Sequence, residues 1–374
     1  MAGEYDMRCK LFSVIALCVL SSLQMGNSVQ AVGTRPFYLG FTPWPYAPTI
    51  EAVNDTNTFV TTHADIINNQ IDESIPWDTA LKGTAFPPGF VKKMDEKASR
   101  IGHGQKRVLY ITPMNLGRNG LLPSYKDSTY QPTSNWETKR FDDPDVGKAY
   151  INYCIWMVKT FKPDYFILGI ETNEYLKNTP TDWDNYHAFS KRVHKEIKRR
   201  FPALLLSESV TLHQLMDPKL PNAQSYRTKI KAFIAEQDFM AVSYYPFFMG
   251  LKSYADISRT LDAFRGYTKK PIAIAETGQP AQNLDITVYN LHFPLTPEDQ
   301  NAYMKTLLEH AQKDKYLFVI WWAHRDFDAL WETFPAAVKD LGRCWRDIGL
   351  LDETGKPRPA YMEWQKTLAK KYKR

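Results

Sequence analysis

Cysteine, glycine-rich loops and long apolar runs are what this chain of 374 residues has least of. Its four cysteines are too few to staple a fold of this length. Cys9 and Cys18 fall in the N-terminal segment, which leaves Cys154 and Cys344 either to pair in an oxidising compartment or to stay as two buried thiols. No glycine-rich loop follows the first predicted strand, which argues against a doubly wound, phosphate-binding sheet. The formal net charge is only +6. The densest basic stretch, Lys191 to Arg200, sits among Phe189, Val193 and Ile197 at helical spacing, so it reads as a solvated helix face and not as a nucleic-acid footprint. No His-x-His spacing occurs, and His63 with Asp65 therefore makes a weak case for a metal. No cofactor is implied.

What is present is a large apolar inventory, 44% hydrophobic and 14% aromatic, enough for a sizeable core. Residues 1–31 read as a secretory signal: Arg8 and Lys10 precede the apolar run Leu11 to Leu20, and Val29-Gln30-Ala31 offers small residues for cleavage. The run is short for a membrane span, which needs ~20 apolar residues. The expectation is a secreted or periplasmic monomer, free of the membrane after cleavage, with one catalytic domain over 32–374.

Along that domain, short apolar runs alternate with helical spacing. Strands are predicted at Arg35–Phe41, Phe59–Asn68, Lys106–Thr112, Tyr165–Ile170, Ala203–Ser207, Phe239–Ser243, Pro271–Ala275 and Leu317–Trp322. Helices are predicted at Pro88–Ile101, Asp145–Phe161, Trp183–Phe201, Tyr226–Ala235, Ala255–Tyr267 and Pro297–Lys313. Continuous apolar strands are covered on both faces, which means parallel strands with helical crossovers. Glu174 and Glu276 lie 102 residues apart, three units of 34, close to the ~30 per unit of an eightfold barrel. The fold class is thus α/β, a (β/α)8 barrel. The polar connection Leu116 to Asp143 is too long for a simple link and is expected to wall the site.

Barrel sites lie at the C-terminal strand ends. The polar and aromatic residues there are Trp44, His63, Asp65, Asn115, Asn173, Glu174, Glu208, Tyr245, Glu276, Trp321 and Trp322. Two carboxylates across an aromatic-lined mouth, Glu174 after the fourth strand and Glu276 after the seventh, are the equipment of glycoside hydrolysis. Neighbours on a strand alternate, so only one of Trp321 and Trp322 can face the mouth. Glu208 and Glu171 are rival carboxylates, and Glu171, three residues before Glu174, is expected to face elsewhere. Two other readings stay open: a metal-dependent hydrolase using His63 and Asp65, and a sugar-binding barrel without turnover.

Asn173-Glu174, Tyr245, Glu276 and the strand-eight tryptophans resemble clan A of the retaining glycoside hydrolases. Ser243-Tyr244-Tyr245-Pro246-Phe247 and Glu276-Thr277-Gly278-Gln279-Pro280 are most similar to the arabinogalactan endo-β-1,4-galactanase family. The tail from Gly349-Leu350-Leu351-Asp352 to Tyr361 and Trp364 is similar to those of many clan members. The resemblance implies Glu174 as acid/base, Glu276 as nucleophile, Asn173 on the sugar 2-hydroxyl and Tyr245 on Glu276, with a β-linked polysaccharide or oligosaccharide as substrate. It also implies a strand-two arginine supporting the nucleophile, where this chain offers His63 and Asp65.

Overall fold

Apolar runs without polar alternation can satisfy both faces only in the middle of a layered structure, and here nine of them form one parallel sheet. The computed structural model describes residues 33–287 and 290–374; the expected leader at 1–31 lies outside them. The strands are β1 (Tyr38–Phe41), β2 (Ile66–Ile71), β3 (Lys106–Ile111), β4 (Tyr165–Ile167), β5 (Leu205–Ser207), β6 (Ser209–Thr211), β7 (Met240–Tyr244), β8 (Ile272–Thr277) and β9 (Phe318–Trp321). Their order is β5-β4-β3-β2-β1-β9-β8-β7-β6. The two edge strands, β5 and β6, are consecutive in sequence on either side of Glu208, so the sheet curls round to meet itself. Leu168 N–H donates to the Ser207 carbonyl at 2.9 Å, and Ser209 N–H to the Gly169 carbonyl at 2.8 Å, which stitches the break. Nine strands thus occupy eight stations of a TIM barrel.

Strand parity sorts the core. Ile66, Val108, Tyr110, Ile167, Ala241, Ala273 and Ile320 fill the barrel interior, while Ile67, Leu109, Phe166, Val242, Ile274 and Val319 pack outward under the helices. The interior is tight at β1, where a Cβ on Gly40 would come within 2.2 Å of the Ile66 carbonyl oxygen. Most predicted elements lie where the patterns put them, within a few residues. Cys154 and Cys344 are both buried free thiols. Among the described residues no helix is long and apolar enough to cross a membrane.

The second predicted strand is the principal correction. Ile50–His63 is a helix, capped by Thr49, whose hydroxyl accepts from Ala52 N–H at 3.1 Å; its buried face is Ala52, Thr56 and Val60. The β-branched run Val60-Thr61-Thr62 favours a strand only weakly, and burial at four-residue spacing overrides it. The strand comes later, at 66–71, so His63 and Asp65 precede it. A six-residue strand is about 20 Å long, which puts both residues at the far end of the barrel from the mouth. There Asp65 pairs with Arg35 and accepts from Leu39 N–H at 2.5 Å. Arg35 also donates to the Thr367 carbonyl at 3.1 Å, tying the barrel floor to the helix Pro359–Leu368. His63 stacks on Phe59 at 4.2 Å between centroids.

The segment 116–143 is packed against the barrel's helices. Asp78 accepts from Trp136 Nε1 at 2.7 Å and from Thr133 N–H at 2.6 Å, and Trp136 stacks on Trp77 at 5.4 Å. Only its first turn, around Arg118, reaches toward the mouth, as the next section describes.

Because Arg35 is almost completely buried, Asp65→Ala leaves its charge uncompensated and should cost about 2–4 kcal/mol. Denaturant unfolding measures that loss. Activity per folded molecule should stay within about twofold, as expected of a change far from the mouth; a large fall in kcat would restore Asp65 to the site.

Candidate active site

Glu276 reaches the mouth because β8 carries a bulge. Val242 and Ser243 of β7 pair with Ile274 and Glu276, skipping one residue of β8. Against β9, Val319 and Trp321 pair with Ile274 and Thr277, again one extra on β8. The inserted residue breaks the alternation, so Ala275 stays in the interior cluster while Glu276 is half-buried at the rim. Thr277 then resumes the outward direction and bonds the Tyr244 carbonyl and Tyr303. Tyr245 donates its hydroxyl to Glu276 Oε1 at 2.6 Å. Beneath, Tyr110 donates to the Ala275 carbonyl at 2.6 Å.

Across the mouth, the carboxylate whose charge acts on Glu276 is Glu171, not Glu174. β4 ends at Ile167, and Glu171 caps the short helix Thr172–Asn178 in the left-handed region, at φ 54 and ψ 44. A non-glycine residue held there costs on the order of 1–3 kcal/mol. Its N–H donates to Ser209 Oγ at 2.9 Å, and Arg118 Nη2 lies 3.5 Å from its Oε2.

The electrostatics are those of two like groups at a half-buried rim. Burial pushes the Glu276 carboxyl up to about 8, the charge of Glu171 adds to that, and the Tyr245 hydrogen bond opposes it; Asp72 raises it and Arg118 lowers it further down the scale. Burial also raises Glu171, with Arg118 pulling against it and the charges of Glu174 and Asp72 adding to it. At Glu276, burial and the charge of Glu171 outweigh the donor from Tyr245.

The other predicted site residues divide sharply. Glu174 accepts from Thr211 Oγ1 at 2.6 Å and pairs with Lys177 at 2.9 Å. Asn173 is fully buried: its Nδ2 donates to Tyr226 at 2.8 Å and to the Thr211 carbonyl at 3.0 Å, and its Oδ1 accepts from Thr211 N–H at 2.7 Å. It clamps two elements together and faces no cleft. Asn115 builds the turn that presents Arg118, its carbonyl accepting from both the N–H and Nη1 of Arg118 at 3.0 Å. Trp321 is buried and donates to the Ile348 carbonyl at 2.7 Å. Trp322 is half-buried and packs on Trp44 at 5.3 Å. These two indoles line a cavity of about 350 Å³ that also takes in Asn69, Gln70 and Asp72, and both indole N–H groups lack a partner. Glu208 is sealed behind β5 and β6 by Thr172, Tyr186 and Ser190 hydroxyls. His63 and Asp65 stay at the barrel floor. A cluster of Asp326, Asp328 and Asp347 is engaged by guanidinium groups, Arg358 on Asp326 and Arg346 on the other two.

Sequence reasoning weighed Glu171 only as a rival expected to face elsewhere, and passed over Asp72 and Arg118. For Glu171 the signal was there: it is the first polar residue after the run Tyr165–Ile170, as Glu276 is after Ile272–Ala275. The Asn-Glu dipeptide two residues later drew the assignment away. Asp72 and Arg118 sit in loops whose course no local pattern reveals.

Since the folded-state value of Glu276 lies above the ordinary carboxylate range, the native protein holds a proton there that the unfolded chain has lost, and stability falls as pH rises from about 4.5 to 8. Glu276→Gln removes that dependence. The melting temperature of the variant relative to the natural protein should therefore rise between pH 4 and pH 9; a constant difference would show that Glu276 is not the buried proton holder.

The sequence profile described as Glycosyl hydrolase family 53 matches residues 135–362, a span that includes Glu171, Tyr245, Glu276 and Trp322 and begins after Arg118. No curated protein sequence matches the chain. Among solved structures, a GH5_18 protein of Bifidobacterium longum in complex with Manβ1-4GlcNAc superposes with a TM-score of 0.61 at 16% identity, covering 89% of this chain and 78% of its own. The GH53 catalytic domain of Ignisphaera aggregans gives 0.53 at 16%, covering 93% and 98%. A fungal β-1,4-galactanase gives 0.52 at 14%, covering 83% and 90%. At these identities the structural likenesses establish the barrel.

Proposed function

Because the chain belongs to glycosyl hydrolase family 53, we propose that it cleaves a β-linked, galactan-like polysaccharide with retention, Glu276 serving as nucleophile and Glu171 as acid/base. The observation that carries this reading is Glu276 at the barrel rim, bonded by the Tyr245 hydroxyl and acted on by the charge of Glu171. Two carboxyls that cannot both ionise hold one proton between them. Tyr245 donates to Glu276 and opposes the rise that burial imposes on it; attack proceeds from the state in which Glu276 has lost its proton and Glu171 holds one. In the first step Glu276 attacks the anomeric carbon as the glycosidic bond breaks, and the departing oxygen takes the Glu171 proton. Water then gives a proton back to Glu171 as it displaces Glu276 from that carbon. The indoles of Trp44 and Trp322 offer an apolar wall to the sugar.

Arg118 stands in for the strand-two arginine that the family resemblance implies. Its charge lowers both Glu171 and Glu276, and it arrives from the loop after β3. The choice of a galactan rests on the family and on the β-1,4-galactanases among the similar folds. Export rests on Arg8, Lys10 and the apolar run that follows them.

Substitution tests the assignment. Glu276→Gln should abolish turnover of every substrate. Glu171→Ala should cut hydrolysis of the natural polymer by about 100-fold or more, yet still release nitrophenol from an activated glycoside, with azide accelerating the release. Glu174→Gln should change kcat/KM by less than about threefold. If Glu174→Ala gives the azide-rescued behaviour and Glu171→Ala does not, the roles revert to Glu174. Binding of oligosaccharide with no turnover by the natural protein marks a sugar-binding barrel.

Removing a cation raises neighbouring carboxyl values, so Arg118→Gln should move both limbs of the kcat/KM profile to higher pH by about one unit. An unmoved profile would detach Arg118 from the pair.

A further inference from the structure

The order of strands around the barrel separates the mouth into two halves. With Glu171 after β4 and Glu276 at the end of β8, the stations of β6 and β7 lie on one side of the pair, and those of β9, β1, β2 and β3 on the other. The second half holds the cavity of Trp44, Trp322 and Asp72. The first half holds an aromatic arc that the proposed chemistry does not use. It starts at Tyr245, whose hydroxyl is on Glu276. Phe248, in the single turn Pro246–Met249 after β7, meets the Tyr245 ring edge-on, with centroids 6.0 Å apart at 87°. His213, in the short helix after β6, lies 5.0 Å from Phe248. The His213 ring feels the charge of Glu174, and Glu174 acts in turn on Glu171. The arc therefore leaves the nucleophile and returns beside the acid.

Phe248 is 38% exposed, and a lone exposed phenylalanine is ordinary on a protein surface. This one is held on a second flank by Trp345, at 6.3 Å, and its place is the open side of a reacting pair. The geometry points to Phe248 as the platform of a leaving-group subsite, on which the pyranose ring next to the scissile bond lays its apolar face while His213 borders it. This rests on the double-displacement reading of Glu171 and Glu276. The sugar that becomes bonded to Glu276 is assigned to the Trp44 and Trp322 side of the pair; the sugar that departs lies on the other side, and the exposed ring of Phe248 supplies its floor. The same floor receives an acceptor sugar when the glycosyl-enzyme is intercepted before water attacks.

A glycosyl fluoride isolates the platform. Its C–F bond breaks as the Glu276 bond forms, and fluoride carries no ring to lie on Phe248. Phe248→Ala should lower kcat/KM for an oligosaccharide about five- to tenfold more than for the fluoride of the same sugar, and Phe248→Trp should restore the ratio. The ratio of transfer to an added sugar over hydrolysis should fall with it. Equal losses on both substrates, or none on either, would overturn the subsite. A natural protein that does not turn over the fluoride would count against double displacement instead. In that case affinity decides: in a Glu276→Gln background, Phe248→Ala should weaken an oligosaccharide long enough to cross the pair and leave the corresponding monosaccharide unaffected, and equal affinities for the longer sugar would remove the platform.

Discussion

Two like carboxyls at the half-buried rim of the barrel, the charge of Glu171 acting on Glu276, are the constraint around which the mouth is arranged. Burial alone drives Glu276 toward its neutral form, and Glu171 pushes in the same direction. Everything polar nearby acts on that balance: Tyr245 by donating a hydrogen bond, Arg118 by its charge, Asp72 by repulsion. A glycosidase needs one acid and one base from chemically identical groups, and asymmetric neighbours are the physical means of telling them apart. Here the asymmetry is a phenol bonded to Glu276 and a guanidinium 3.5 Å from Glu171.

Bringing the two groups to the rim takes departures from regular backbone at both strands. β8 gains a residue against both neighbours just before Glu276. Beyond β4 the chain turns through a left-handed residue at Glu171 itself. A bulge and a positive φ each cost stability and each re-aim a side chain. The break at Glu208 between β5 and β6 is different in kind: its carboxylate is consumed by three hydroxyls inside the protein, so the interruption serves closure of the sheet.

The floor shows the opposite allocation of polar groups. Arg35 and Asp65 satisfy each other and nearby backbone where the first strand, the second strand and the last helix meet. Charge there holds the barrel shut, and charge at the mouth is left unbalanced.

The barrel itself was legible in the chain, because an apolar run in the strand core and the spacing of buried residues in a helix are local properties that packing then reinforces. Glu276 and Tyr245 were legible too, each lying directly after its strand. Where a β-branched stretch could serve either structure, as at Phe59 to Thr62, only the helix cap at Thr49 and burial against the barrel decided, and His63 and Asp65 moved from mouth to floor with that decision. Asn173 and Glu174 have the residue types of a site, yet the turn after Glu171 carries one into the protein and the other against Thr211 and Lys177. Residue type and order are written in the sequence. The direction of a side chain past the end of a strand depends on one dihedral pair or one inserted residue, and those are set by the neighbours that close over it.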